Sequence, residues 1–143
     1  MAPAPNPLTG RCLCGGVSYE IDAEPLASAV CHCADCQRQT SSPFSAVVVV
    51  PRAAFKVQGG ETLSSFNTVG GDHGQDTERF FCSACGSPIY SLSPAGPDFA
   101  YVKAGSLDDS SWLEPTIEVW TSSAQPWAPR FEQTMQFARG PGQ

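Results

Sequence analysis

Seven cysteines in a chain of 143 residues fall into three groups: Cys12 and Cys14, then Cys31, Cys33 and Cys36, then Cys82 and Cys85. Each has a neighbour two or three positions away. Buried core cysteines have no need of such spacing, whereas metal ligands do. Disulfides are a poor reading, because seven thiols cannot all pair within one chain. The opening MAPAPNPLTG shows no basic stretch followed by an apolar run. A cytoplasmic location, where thiols stay reduced, is therefore the expectation.

The two pairs followed by glycine, CLCG at 12–15 and CSACG at 82–86, look alike. A tight turn ending in glycine lets two cysteines face one metal and exposes backbone N–H groups near the sulfurs. Cys12, Cys14, Cys82 and Cys85 together make the closed four-thiolate set of a structural zinc, clipping the first strand to a later hairpin. Cys31, Cys33 and Cys36 remain, three ligands for a metal that takes four. In an extended CHC segment Cys31 and Cys33 share a face and His32 points to the other, so His32 reads as a packed residue. The only other histidine, His73, is a remote candidate in the glycine-rich loop VGGDHGQD.

An open fourth position marks a zinc that works on substrate. Three thiolates make the metal a weak Lewis acid towards water but a good partner for a fourth sulfur, whose pKa it would lower. The expectation is two zincs per chain, one structural and one catalytic, the second held by Cys31, Cys33 and Cys36 and completed by a small thiol substrate. Two other readings compete: a zinc-stabilised binding module, and a redox or metal sensor that uses the same three thiols.

The elements that must position these thiols are short and mostly strands. FSAVVVVP at 44–51 is the strongest, β-branched and stopped by Pro51. GGVSYEID, ETLSSFN, ERFFCS, SPIYSLSP, DFAYVKAGSL and PTIEVWTS complete a mainly antiparallel β pattern punctuated by Pro and Gly. A short helical turn is expected after Cys33, across Cys36 to Thr40. Residues 1–9 read as a flexible lead-in, 10–135 as a single zinc-binding domain, and 136–143 as a frayed tail. The net charge of −6 argues against a nucleic-acid surface. The longest apolar stretch, AVVVV, is too short to span a bilayer. Trp120 and Trp127 are candidates to pack the closing segment over the sheet or to wall a pocket.

Three cysteine motifs in order, GRCLCGGV from Gly10, CHCADC from Cys31 and FCSACG from Phe81, with Pro126–Trp127 near the end, resemble the glutathione-dependent formaldehyde-activating family. That family includes the centromere protein V domain. The resemblance spans roughly residues 8–130. It implies a small zinc-containing β-tent domain with a structural zinc clip. It places the structural zinc on Cys12, Cys14, Cys82 and Cys85, and the catalytic zinc on Cys31, Cys33 and Cys36. The activity it implies is carbon–sulfur lyase chemistry on S-hydroxymethylglutathione, the adduct of glutathione and formaldehyde. One departure stands out: Ser41 occupies the position where family members often carry glycine. Arg38, Thr40 and Ser42 are the candidate substrate contacts beside the open zinc. Arg52, Lys56 and Arg79 are further cations able to meet the two carboxylates of glutathione.

Overall fold

The computed structural model describes residues 3–70 and 74–141, so His73 lies outside the described residues. Eleven strands form two sheets among them. The smaller sheet has the order β1 (Leu8–Arg11), β2 (Ser18–Ile21), β5 (Phe55–Gln58), with both pairings antiparallel. The larger runs β11 (Met135–Gln136), β10 (Ile117–Val119), β3 (Ala27–Cys31), β4 (Ser45–Pro51), β9 (Phe99–Lys103), β8 (Pro88–Leu92), β7 (Thr77–Cys82), β6 (Leu63–Thr68). Neither sheet closes on itself. One helix of two turns, α1 (Ala34–Thr40), interrupts the β3–β4 hairpin. No helix among the described residues is long and apolar enough to cross a membrane.

The sheets bury one core between them. Leu8, Val17, Tyr19 and Ile21 from the small sheet side pack with Val48, Val50, Ile89 and Val102 from the large one. An aromatic run crosses the interface from Tyr19 to Phe55 at 5.4 Å, Phe55 to Tyr90 at 4.6 Å and Tyr90 to Phe80, stacked at 4.4 Å. Such pairs add stabilisation beyond their buried area. The valine run of β4 lies between β3 and β9 at the centre of the large sheet, where its unbroken hydrophobicity places it.

The structure corrects two features of the sequence reading and refines the mainly antiparallel pattern, which holds. The lead-in ends earlier than expected: Leu8 is 1% exposed and opens β1, and Thr9 pairs with Glu20. The expected frayed tail is tied down through Arg139. The amides of Phe137, Trp120, Thr121 and Ser122 join it to β10 and the turn that follows, and the Arg139 guanidinium lies 5.2 Å over the Trp120 ring. Finally, the large sheet is not wholly antiparallel, because β10 runs parallel to both β3 and β11.

Gly59 connects the core to the first cysteine turn. Its φ of +123° is open to glycine and to little else, and a Cβ there would collide with the Gly16 carbonyl and the Val17 Cα. Gly59→Ala is expected to cost about 2–4 kcal/mol of stability through strain and overpacking. Urea denaturation at fixed metal content measures it, and a change within about 0.5 kcal/mol, the range of an ordinary surface substitution, would contradict the account.

Candidate metal centres

Cys12 follows β1 and Cys82 ends β7, and each starts a turn of the same design. The Cys12 carbonyl accepts from Gly15 N–H and its own N–H donates to the Val17 carbonyl. The Cys82 carbonyl accepts from Gly86 N–H and its N–H donates to the Ser87 carbonyl. Gly15 and Gly86 both sit at φ +80°, in the left-handed region that the repeated glycine supplies. The two turns face each other, and Leu13 N–H donates to Ser87 Oγ across the gap at 3.0 Å.

The thiols of Cys12, Cys14, Cys82 and Cys85 lie within 4.8 Å of one another and none is in a disulfide. Cys12 and Cys14 sulfurs are 3.6 Å apart, and those of Cys14 and Cys82 are 3.8 Å apart. Four sulfurs about 2.3 Å from a central zinc form a tetrahedron with edges of about 3.8 Å, so the donor set fits that ion in both chemistry and size. Backbone N–H groups point at the sulfurs, Val17 to Cys12 at 3.2 Å and Gly16 to Cys14 at 3.4 Å. The Cys85 thiol is lowered to about 5, first by the Ser87 hydroxyl.

Cys31 ends β3, Cys33 is the N-cap of α1 and Cys36 lies in its first turn. The Cys33 sulfur accepts from Cys36 N–H at 3.3 Å, so the helix start folds the segment back and brings the third thiol to the other two. These three form a second cluster within the same 4.8 Å limit, with Cys33 and Cys36 buried. Trp120 packs against Cys33 and Cys36, so it walls the cluster, while Trp127 is exposed. Trp120 holds φ +58°, a strained conformation for so large a residue, and strain of this kind gathers at functional sites.

His32 points away from the cluster, as the extended segment requires. It is fully buried, with Nε2 2.9 Å from Glu118 Oε1 and its ring edge-on to Phe44. Glu118 also accepts from Thr134 at 2.6 Å and Gln136 at 3.1 Å. Burial alone would push this carboxyl up; the hydrogen bonds from Thr134, His32 and Gln136 outweigh it and hold the group below its ordinary range. The network ties the CHC segment to β10 and to the residues that follow Phe131.

Two buried cations stand beside the three thiols. Arg79, on β7, is 5% exposed, with Nη1 4.0 Å from Cys36 Sγ. Lys103, at the end of β9, is 7% exposed and donates to Ser45 Oγ at 2.6 Å. Ser45 is the residue opposite Cys31 in the β3–β4 pairing. The Cys36 thiol is lowered to about 2, first by hydrogen bonds with Cys31 and Cys33, then by the charges of Lys103 and Arg79, against burial. The thiol of Cys31 is pushed up by the same hydrogen bonds and by burial.

The candidate substrate contacts do not converge. Thr40 and Ser42 line a cavity of about 670 Å³ with Phe44, Ser45, Lys103 and Arg11. Arg38 lines a separate one of about 450 Å³ with Phe66, Phe81, Gln39 and Arg79. The Thr40 hydroxyl donates to the Cys36 carbonyl at 2.8 Å, which makes it a support for the helix. Arg52 lines a third cavity, and Lys56 is exposed on the small sheet. Sequence reasoning missed Lys103, Ser45 and Glu118. A lysine within the otherwise apolar run FAYVKAG, one of only two lysines in the chain, was the available signal.

The chain is a mainly-β domain with two thiol clusters, one of four sulfurs and one of three, each able to ligate a metal. Residues 7–123 match the family profile described as glutathione-dependent formaldehyde-activating enzyme, and the chain belongs to that family. An uncharacterized lyase of Schizosaccharomyces pombe is 28% identical over 116 residues, 81% of this chain and 74% of that protein. A Penicillium rubens protein, provisionally named a glutathione-dependent formaldehyde-activating enzyme, is 28% identical over 120 residues, 79% of this chain and 60% of its own length. A Halomonas elongata protein of the same provisional name is 26% identical over 103 residues, 71% of this chain and 66% of its own. The crystal structure of a Rhodobacter sphaeroides protein shares the fold with a TM-score of 0.57 at 21% identity, covering 75% of this chain and 91% of that one.

Glu118→Gln keeps the shape of the network and removes its charge. The variant should lose roughly 2–3 kcal/mol at pH 7, as breaking a buried charged hydrogen bond does. Because the folded carboxyl titrates below its unfolded value of 4.5, the contribution is present above that pH and is lost as pH falls through the folded value. Denaturation of both proteins from pH 7 to 3.5 should show the gap narrowing below about 4.5; a gap constant with pH would remove the charge from the explanation.

Proposed function

We propose that the chain is a zinc-dependent carbon–sulfur lyase acting on the thiol adduct of a small aldehyde, S-hydroxymethylglutathione being the adduct its family suggests. The carrying observation is the division of seven free thiols into a closed set of four and an open set of three, with buried Arg79 reaching a sulfur of the open set. The provisional names of the Penicillium and Halomonas relatives support the same substrate class. We read the two facing sheets as the β-tent of this family, with Cys12, Cys14, Cys82 and Cys85 as its zinc clip. Cytoplasmic action on a free thiol suits a chain that keeps seven cysteines unpaired.

Zinc held by Cys31, Cys33 and Cys36 would supply a fourth coordination position that favours a substrate sulfur as thiolate. The protein supplies the rest. Trp120 covers one side of the cluster. Ser45, opposite Cys31 in the β3–β4 pairing, lines the larger cavity with Lys103, Thr40 and Ser42, and that cavity also borders Cys12. Arg38, at the smaller cavity across α1, is placed for a carboxylate that reaches beyond the helix.

Native mass spectrometry tests this directly. Two zincs per chain and a glutathione adduct are expected, with the adduct and the second zinc lost in Cys33→Ala while the fold survives. Cys82→Ala should instead unfold the chain or lower its stability by several kcal/mol, as loss of a structural zinc does. Two zincs with no adduct would retire glutathione, and one zinc in the unaltered protein would remove the open site.

A further inference from the structure

Arg79 and Lys103 raise a question of charge balance. Burying a cation costs several kcal/mol unless another charge compensates it. The ion-pair contact found among the described residues joins His32 to Glu118, and neither buried cation pairs with a carboxylate there. Their hydrogen bonds go to neutral oxygens: Lys103 Nζ to Ser45 Oγ at 2.6 Å, Arg79 Nε to Thr68 Oγ1 at 2.9 Å, and Arg79 Nη1 to Gln39 Oε1 at 3.1 Å. The negative charge they face is sulfur. Arg79 reaches Cys36 directly; burial lowers the Lys103 amine below its ordinary range, and the charges of Cys36, Cys31 and Cys33 act against that lowering.

The consequence rests on the reading above, that these three cysteines hold a divalent metal with one position open. Three thiolates around such a metal leave one negative charge. Two buried cations turn that into one positive charge. An anionic fourth ligand brings the buried assembly to neutrality, whereas water or another neutral donor leaves it charged in a low-dielectric surround. The four-thiol set has no position to offer.

We propose that Arg79 and Lys103 are the specificity-determining residues of the three-cysteine site, selecting an anionic fourth ligand, a thiolate foremost, over a neutral one. They act through charge, from two different strands, and Lys103 donates to Ser45, the residue opposite Cys31. The selection precedes any contact with the rest of the substrate, so it would hold for simple thiols lacking carboxylates.

The test uses the full chain loaded with cobalt(II), whose visible absorption changes when the open site gains a ligand while the closed site stays silent. Titrations with 2-mercaptoethanol, azide and imidazole at one pH give three affinities each for the unaltered protein, Lys103→Met and Lys103→Arg. Lys103→Met should weaken both anions at least about tenfold relative to imidazole, and Lys103→Arg should restore the ratio. Should Lys103→Met fail to fold, Arg79→Gln provides the same comparison from the other strand, and the ranking in the unaltered protein needs no variant. An unaltered protein that prefers imidazole, or a ratio indifferent to both substitutions, would overturn the proposal. Azide selected by charge with no binding of thiol would sustain it and sink the thiol-substrate reading instead.

Discussion

The four thiols of Cys12, Cys14, Cys82 and Cys85 set the constraint around which the molecule is arranged. They sit where a hairpin of the small sheet meets a hairpin of the large one, so any ion they share joins the two layers. Everything nearby serves that meeting. Glycines in left-handed turns bring sulfur and amide together, Gly59 lets the β5–β6 connection press against the first turn, and Ser87 bridges the two turns. The aromatic run from Tyr19 to Phe80 fills the space between the layers that the junction defines. A domain of this size gains most from such a link, since its core alone supplies modest stability.

The second cluster is placed by different means. Its thiols come from one short segment, but its surroundings come from β7, β9, β10 and the closing residues. The His32–Glu118 contact fixes the segment from behind, and Trp120 closes it at the side. Two cations face it, neither in an ion pair with a carboxylate among the described residues. This is an electrostatic environment unlike that of the first cluster, where backbone amides and hydroxyls do the work of stabilising sulfur. One site is arranged to hold its charge; the other is arranged so that its charge is completed from outside.

Much of this was legible in the sequence because cysteine spacing is a local code. The repeated glycine after each pair announced the matching turns, the alternation in an extended CHC segment predicted that His32 would turn away, and the spacing from Cys33 to Thr40 gave the helix. Ser41 is also instructive: it holds φ +52° at the helix C-cap, a left-handed conformation that glycine adopts without strain. What was not legible is what depends on partners far away in the chain. Strand β3, ASAVC, is too rich in small residues to read as a strand, and its partner β4 makes it one. The parallel pairing of β10 follows from tertiary packing that no local pattern encodes. Arg79 and Lys103 look like surface charges until the strands carrying them are brought against the thiols. The substrate contacts read as one group were split by α1, which puts Arg38 on one side and Thr40 on the other.

The parallel strand β10 has a consequence for how the protein matures during synthesis. A ribosome delivers the chain from its N-terminal end, and the four-thiol cluster is complete in sequence once Cys85 has emerged. The three-cysteine segment emerges earlier, at Cys36, yet the strand that backs it and the tryptophan that shields it follow some eighty residues later. Arg139, which stacks on that tryptophan, comes later still. The nascent chain therefore completes the thiols of its architectural joint before the three-cysteine segment is covered, and that cover closes only once the residues around Arg139 have emerged.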